Sequence, residues 1–147
     1  MMAAPTSFRT LLSKWCKEIK PKMILEWGPG VSTELMEKEC PKATIYTFEH
    51  LKQYSDYWKG ILKSTVFLVE DLEKYSRANN IIFAKKFDLV FVDGRQRVEC
   101  LKTALKWVKK SGVVILHDSE RPEYSEGIKL FDIIDNDDGT VVLKKKV

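Results

Sequence analysis

Phe8, Leu11, Leu12, Trp15, Cys16 and Ile19 recur at i, i+3, i+4, i+7, i+8 and i+11 behind Thr6 and Ser7, the apolar stripe of an amphipathic helix with a capping signal at its start. Pro21 ends that helix. Met23 to Trp27 is a short apolar run entering Gly28-Pro29-Gly30, and Val31 to Glu39 beyond it is helix-permissive, so the pattern reads strand, tight turn, helix. After Pro41, Thr44 to Phe48 is β-branched and aromatic, and Leu51, Tyr54, Trp58, Ile61 and Leu62 return to helical spacing. Thr65 to Val69 is a third strand, followed by a polar stretch from Asp71 to Phe83 that reads as irregular or helical. Phe87 to Val92 is a fourth strand. Val98, Leu101, Leu105 and Val108 mark a helix that Gly112 stops before the strand Val113 to Leu116. Leu130 to Ile134 and Thr140 to Leu143 flank Asn136-Asp137-Asp138-Gly139, a hairpin signal with Asp-Gly at the turn.

Strands alternating with helices call for right-handed crossovers and a mainly parallel, twisted sheet covered on both faces, a three-layer α/β sandwich closed by an antiparallel hairpin. Ligands of such open sheets bind outside the carboxyl ends of the strands, so residues just after each strand carry the chemical information. At 147 residues the chain is expected to form one domain, 1–147, around one core.

Composition narrows the class. With 44% hydrophobic and 31% charged residues the chain is globular rather than disordered, and no apolar run approaches the roughly 20 residues of a membrane span. No secretory signal pattern opens it, and the three cysteines, Cys16, Cys40 and Cys100, are far apart in sequence and in no CxxC pair. A disulfide framework and a thiolate zinc site are not expected, and a reducing, cytoplasmic setting is. The net charge of +4 owes much to scattered lysines and the Lys144-Lys145-Lys146 tail, so it does not point to nucleic acid.

After the first strand comes Glu26-Trp27-Gly28-Pro29-Gly30-Val31-Ser32-Thr33. Two glycines allow a sharp turn and a close backbone approach, and the following helix start presents unpaired N–H groups. Glu49 closes the second strand about 20 residues later, where a carboxylate can accept both hydroxyls of a ribose. A nucleoside-type ligand is therefore expected. The third glycine of the G-x-G-x-x-G dinucleotide fingerprint is absent, its place being taken by Thr33.

Glu26-x-Gly28-x-Gly30-x-Ser32-Thr33, with Glu49 ending Thr47-Phe48-Glu49, resembles the class I S-adenosylmethionine-dependent methyltransferases over essentially the whole chain. The resemblance implies a Rossmann-like fold, S-adenosylmethionine as cofactor, and a cofactor site of Glu26, Gly28, Gly30, Ser32, Thr33, Glu49, His50, Asp71 and Asp93. Asp71 matches the polar residue that meets the adenine amine in that family, and it reads equally well as a helix N-cap.

The later strand ends read Val92-Asp93-Gly94-Arg95-Gln96-Arg97-Val98 and His117-Asp118-Ser119-Glu120-Arg121-Pro122-Glu123-Tyr124. They are similar to a branch of small methyltransferase-like proteins, and to O-methyltransferases with aspartates at these two strand ends. In metal-dependent relatives those aspartates help hold a divalent cation; here Ser119 is a poor third ligand, so no dedicated metal site is expected. Asp93, His117 and Asp118 are the candidate catalytic groups, able to take a proton from an acceptor. Arg95, Arg97, Arg121 and Tyr124 are candidates for the acceptor site, the arginines suiting an acidic small molecule or, alternatively, pairing with Asp93, Asp118 and Glu49 to hold the loops. The expected activity is methyl transfer to a small-molecule acceptor, most simply at oxygen. The rival reading is a catalytically silent module that keeps the nucleoside pocket and serves as a partner or sensor.

Overall fold

A computed structural model describes residues 7–78 and 86–147. Seven strands form one sheet in the order β3-β2-β1-β4-β5-β7-β6. The elements run α1 (Ser7–Ile19), β1 (Met23–Trp27), α2 (Val31–Glu39), β2 (Thr44–Glu49), α3 (Lys52–Lys59), β3 (Thr65–Leu68), α4 (Leu72–Arg77), β4 (Phe87–Val92), α5 (Arg97–Trp107), β5 (Val108–His117), a 3₁₀ turn (Pro122–Tyr124), α6 (Ser125–Ile128), β6 (Phe131–Asp137) and β7 (Thr140–Lys145). Strands β1 to β5 are parallel, and β7 is inserted antiparallel between β5 and β6. This is the expected three-layer α/β sandwich with its closing hairpin.

The sheet is buried on both faces, which is why its central strands read as unbroken apolar runs. Side chains alternate along each strand. Ile24, Leu89, Phe91, Val113, Ile115 and Val142 pack under α1 and α2 with Phe8, Leu12 and Met36. Leu25, Trp27, Phe48, Val90, Val92 and Leu116 face the opposite layer with Tyr75, Leu101 and Ala104. Trp107 is half-buried against that second cluster.

Two expectations are corrected. Gly112 does not stop α5: the helix ends at Trp107 because Val108 turns extended, and the chain bulges through Lys109, Lys110 and Ser111 before rejoining β4. A Cβ at Gly112 would lie 2.7 Å from the Asp88 carbonyl oxygen, so this glycine serves close backbone approach to β4. The helical spacing through Leu51, Tyr54, Trp58, Ile61 and Leu62 overruns its helix: α3 ends at Lys59 with Gly60 as its cap, so Ile61 and Leu62 fall beyond it, and at the β3 edge only Ser55, Leu62 and part of Trp58 reach inward. The 3₁₀ turn and α6 carried no periodic signal and were not expected. Of the stretch from Asp71 to Phe83, Leu72–Arg77 is helix and 79–83 lie outside the described residues, as does Thr6 of the α1 capping signal. At the hairpin, Asp138 and Gly139 take φ of 41° and 86°, the paired positive values of a type I′ turn.

Candidate functional site

The parallel register sets Trp27 beside Phe48 on one side and Val92 on the other, so the loops after β1, β2 and β4 open along one rim. Gly28 turns the chain at φ 89°, a conformation that favours glycine, and a Cβ there would stand 2.8 Å from the Asp93 carbonyl oxygen. The first loop is thus packed against the fourth. At Gly30 a Cβ would meet only the Trp58 ring, at 3.8 Å, so the turn into α2 is open on that side.

Beneath this turn lies a buried carboxyl. Glu26 points to the α1–α2 face at a position where its neighbours are apolar, and it is wholly inaccessible. Burying a carboxylate is costly unless donors meet it. Ser32 Oγ donates at 2.6 Å, and Thr33 Oγ1 donates to the other oxygen while accepting from the Gly30 amide at 3.0 Å. The Thr47 hydroxyl, opposite Glu26 in the β1–β2 register, is buried without a fully formed hydrogen bond. Burial wins over these donors and, with Asp93 nearby, pushes the Glu26 pKa up to about 7. Ser32 and Thr33 therefore act through Glu26, joining the strand end to the helix start.

Glu49, at the end of β2, is nearly buried. Its Oε2 accepts from the backbone amides of His50 at 2.7 Å and Leu51 at 2.8 Å and lies 3.1 Å from His50 Nδ1. The His50 ring packs edge-on against Tyr75, with centroids 5.6 Å apart. Asp71 serves as the α4 N-cap, accepting from the amides of Glu73 and Lys74 at 3.0 and 3.1 Å. Its capping reading is therefore realised.

Asp93, His117 and Asp118 come together at the adjacent ends of β4 and β5. Burial raises the Asp93 pKa, opposed by His117 and Arg97 and reinforced by Asp118. Asp118 takes a left-handed φ of 57° just after the strand. The His117 ring is fixed from two sides: Nδ1 is 3.2 Å from Thr140 Oγ1, its partner across the β5–β7 pair, and the Phe8 ring lies 5.1 Å away.

The arginines separate into different roles. Arg97 bridges two strand ends, donating to Asp93 Oδ1 at 3.1 Å, to the Gly94 carbonyl at 3.0 Å and to the His117 carbonyl at 2.5 Å, with its guanidinium 5.3 Å above the Tyr124 ring. This pairing role is the alternative left open for it, and it occupies Tyr124 as well. Arg95 keeps an exposed side chain on the same rim. Arg121 is exposed and reaches only Glu123, at 4.0 Å.

Three contributors lie outside the sequence reading. Thr140 orients His117, and only antiparallel pairing reveals it. Trp58 stands over Gly30. Tyr75 is wholly buried, its hydroxyl approaches the Arg95 amide without a well-formed hydrogen bond, and a Cβ at Gly94 would sit only 1.8 Å from it. Any larger residue at 94 would have to displace that phenol. Among the described residues no group of three or more His, Cys, Asp or Glu side chains gathers as a metal site, and no helix is long and apolar enough to cross a membrane.

The strand order, with parallel β1 to β5 and an antiparallel closing pair, gives a Rossmann-like fold. Solved structures share it. A methyltransferase-like protein from Silicibacter pomeroyi superposes with a TM-score of 0.79 at 14% identity, over 99% of this chain and 88% of that one. The SAH-bound methyltransferase PaMTH1 of Podospora anserina gives 0.71 at 19% identity, over 99% and 80%. The N-methyltransferase NodS of Bradyrhizobium japonicum gives 0.64 at 11% identity, over 94% of each chain. No family model matches the sequence, and no curated protein matches it.

Proposed function

We propose that this chain is an S-adenosylmethionine-dependent methyltransferase acting on a small-molecule acceptor, most simply at oxygen. The observation that carries the reading is the adjacency of the open Gly28–Gly30 turn and the Glu49 carboxylate on one rim, with PaMTH1 holding SAH on the same fold. The residues suit such a cofactor. Gly30 leaves room at the start of α2, Glu26 with Ser32 and Thr33 makes the turn rigid, and the His50 and Leu51 amides ahead of α3 engage one Glu49 oxygen.

Bound S-adenosylmethionine would supply a methyl group already activated on a sulfonium. The chain's own task is then alignment, together with acceptance of a proton from the acceptor. His117 suits that task when Nδ1 donates to Thr140, since Nε2 then carries the free lone pair. Asp93 lies beside it, and Arg95 offers an exposed guanidinium to an acidic group on the acceptor.

Calorimetry with S-adenosylmethionine and SAH, using wild type and Glu49→Gln, tests the cofactor half of this reading. Saturable heat that weakens about tenfold or more in the variant supports it, by the loss of charge-assisted ribose contacts. No heat from wild type at millimolar cofactor rejects it. A silent nucleoside-binding module is the second reading, favoured by the Arg97 contact that already satisfies Asp93. SAH formation with any member of an acceptor panel would exclude it.

A further inference from the structure

At the opposite end of the sheet from that rim, α1 and the C-terminal cap of α2 bring Cys16 and Cys40 together. Both cysteines are free and buried, at 2% and 8% exposure, and both belong to the apolar layer under α1 and α2. They line one cavity of about 480 Å³, walled also by Pro21, Pro41 and Ala43, with Lys17, Lys20, Lys22 and Lys42 set against the single carboxylate of Glu39 in its lining. Two thiols separated in sequence thus share a pocket with an inward path and a cationic lining. Helix C-termini and the adjacent Glu39 carboxylate disfavour a thiolate, while the four lysines favour entry of an anionic oxidant.

We propose that Cys16 and Cys40 form a reversible redox pair, oxidised to an intramolecular disulfide by a small anionic disulfide such as oxidised glutathione that enters through the lysine-lined cavity. The two thiols lie close enough to perturb one another, Cys16 being raised and Cys40 lowered by their mutual contact. Cys40, the more exposed of the two and seated at the end of α2, is the attacking group and Cys16, deeper under α1, the resolving one. The Cys40 thiolate attacks one sulfur of the small disulfide, breaking its S–S bond and releasing one small thiolate. Cys16 Sγ then attacks Cys40 Sγ, expels the second small thiolate and closes the Cys16–Cys40 bond. The two thiol protons go to the two released thiolates, and the two electrons go from the cysteines to the oxidant. Cys100 takes no part: it is fully buried in the other layer, with its thiol directed to the Arg95 carbonyl at 3.4 Å and burial raising its pKa.

The test is intact-mass spectrometry and peptide mapping of the full chain after incubation with oxidised glutathione at neutral pH. Wild type should lose the mass of two hydrogens without retaining glutathione, and mapping should join the α1 and α2 peptides. Cys16→Ser should instead trap glutathione on Cys40, about tenfold or more faster than on Cys100. Dithiothreitol should restore the starting mass. A wild-type chain that keeps three free thiols, or that accumulates stable glutathione adducts with no internal bond, would overturn the proposal. Because wild type alone decides the point, a poorly folding variant does not blunt it.

Discussion

Replacing Glu26 by Gln removes a charge from under the glycine turn while keeping the side chain's shape. In the folded chain the carboxyl titrates at about 7 against an ordinary value of 4.5. Between those values the folded state holds more protons than the unfolded one, so this group's contribution to stability falls as pH rises and levels off above about 7. Linkage across pH 5 to 8 gives a loss of about 2.5 kcal/mol for wild type, from a proton retained at pH 5 and released by pH 8. For a chain of this size that is about 5–10 °C in unfolding midpoint. Glu26→Gln mimics the protonated form and should lack this component. The assay is urea unfolding of both proteins at half-unit pH steps, read as the difference in stability so that other titrating groups cancel. Wild type should gain on the variant as pH is lowered toward 5. A difference that stays level within about 0.5 kcal/mol across the window would refute the reasoning, and would mean that Ser32 and Thr33 hold a buried carboxylate fully ionised.

Other perturbations probe the rim. Gly28→Ala should cost about 1–3 kcal/mol in denaturant unfolding, because φ of 89° strains an alanine and its Cβ meets the Asp93 carbonyl at 2.8 Å. Arg97→Lys should lower stability by about 1.5–3 kcal/mol in the same assay, since one ammonium cannot reproduce the fork that holds Asp93, the Gly94 carbonyl and the His117 carbonyl together. Tyr75→Phe should be neutral or slightly stabilising by thermal melting, as the hydroxyl it removes is buried without a well-formed partner and crowds Gly94.

Much of the architecture was legible before any coordinates. Val31–Glu39 and Phe87–Val92 match their elements residue for residue, because helix punctuation by Pro and Gly and two-face strand burial are local signals. The glycine turn was legible for the same reason. Gly112 misled because a glycine after an apolar helical run reads as a stop, whereas its cause is a carbonyl of β4 more than twenty residues away. The α3 spacing shows which residues share a side, whereas only position in the sheet states whether anything covers that side, and Leu51, Tyr54 and Ile61 are left exposed.

From its own order of residues the chain determined the alternation of strand and helix, the turn at Gly28 and the placing of acids at strand ends, all of which depend on neighbours a few residues apart. Tertiary structure decided which chemistry those residues are free to perform. Arg97 became a brace, Thr140 a support for His117, Glu26 a carboxyl poised near neutrality, and Cys16 and Cys40 a pair. Each outcome depends on strands or helices remote in sequence meeting at bonding distance, where burial and a single well-placed partner outweigh what a residue type does alone.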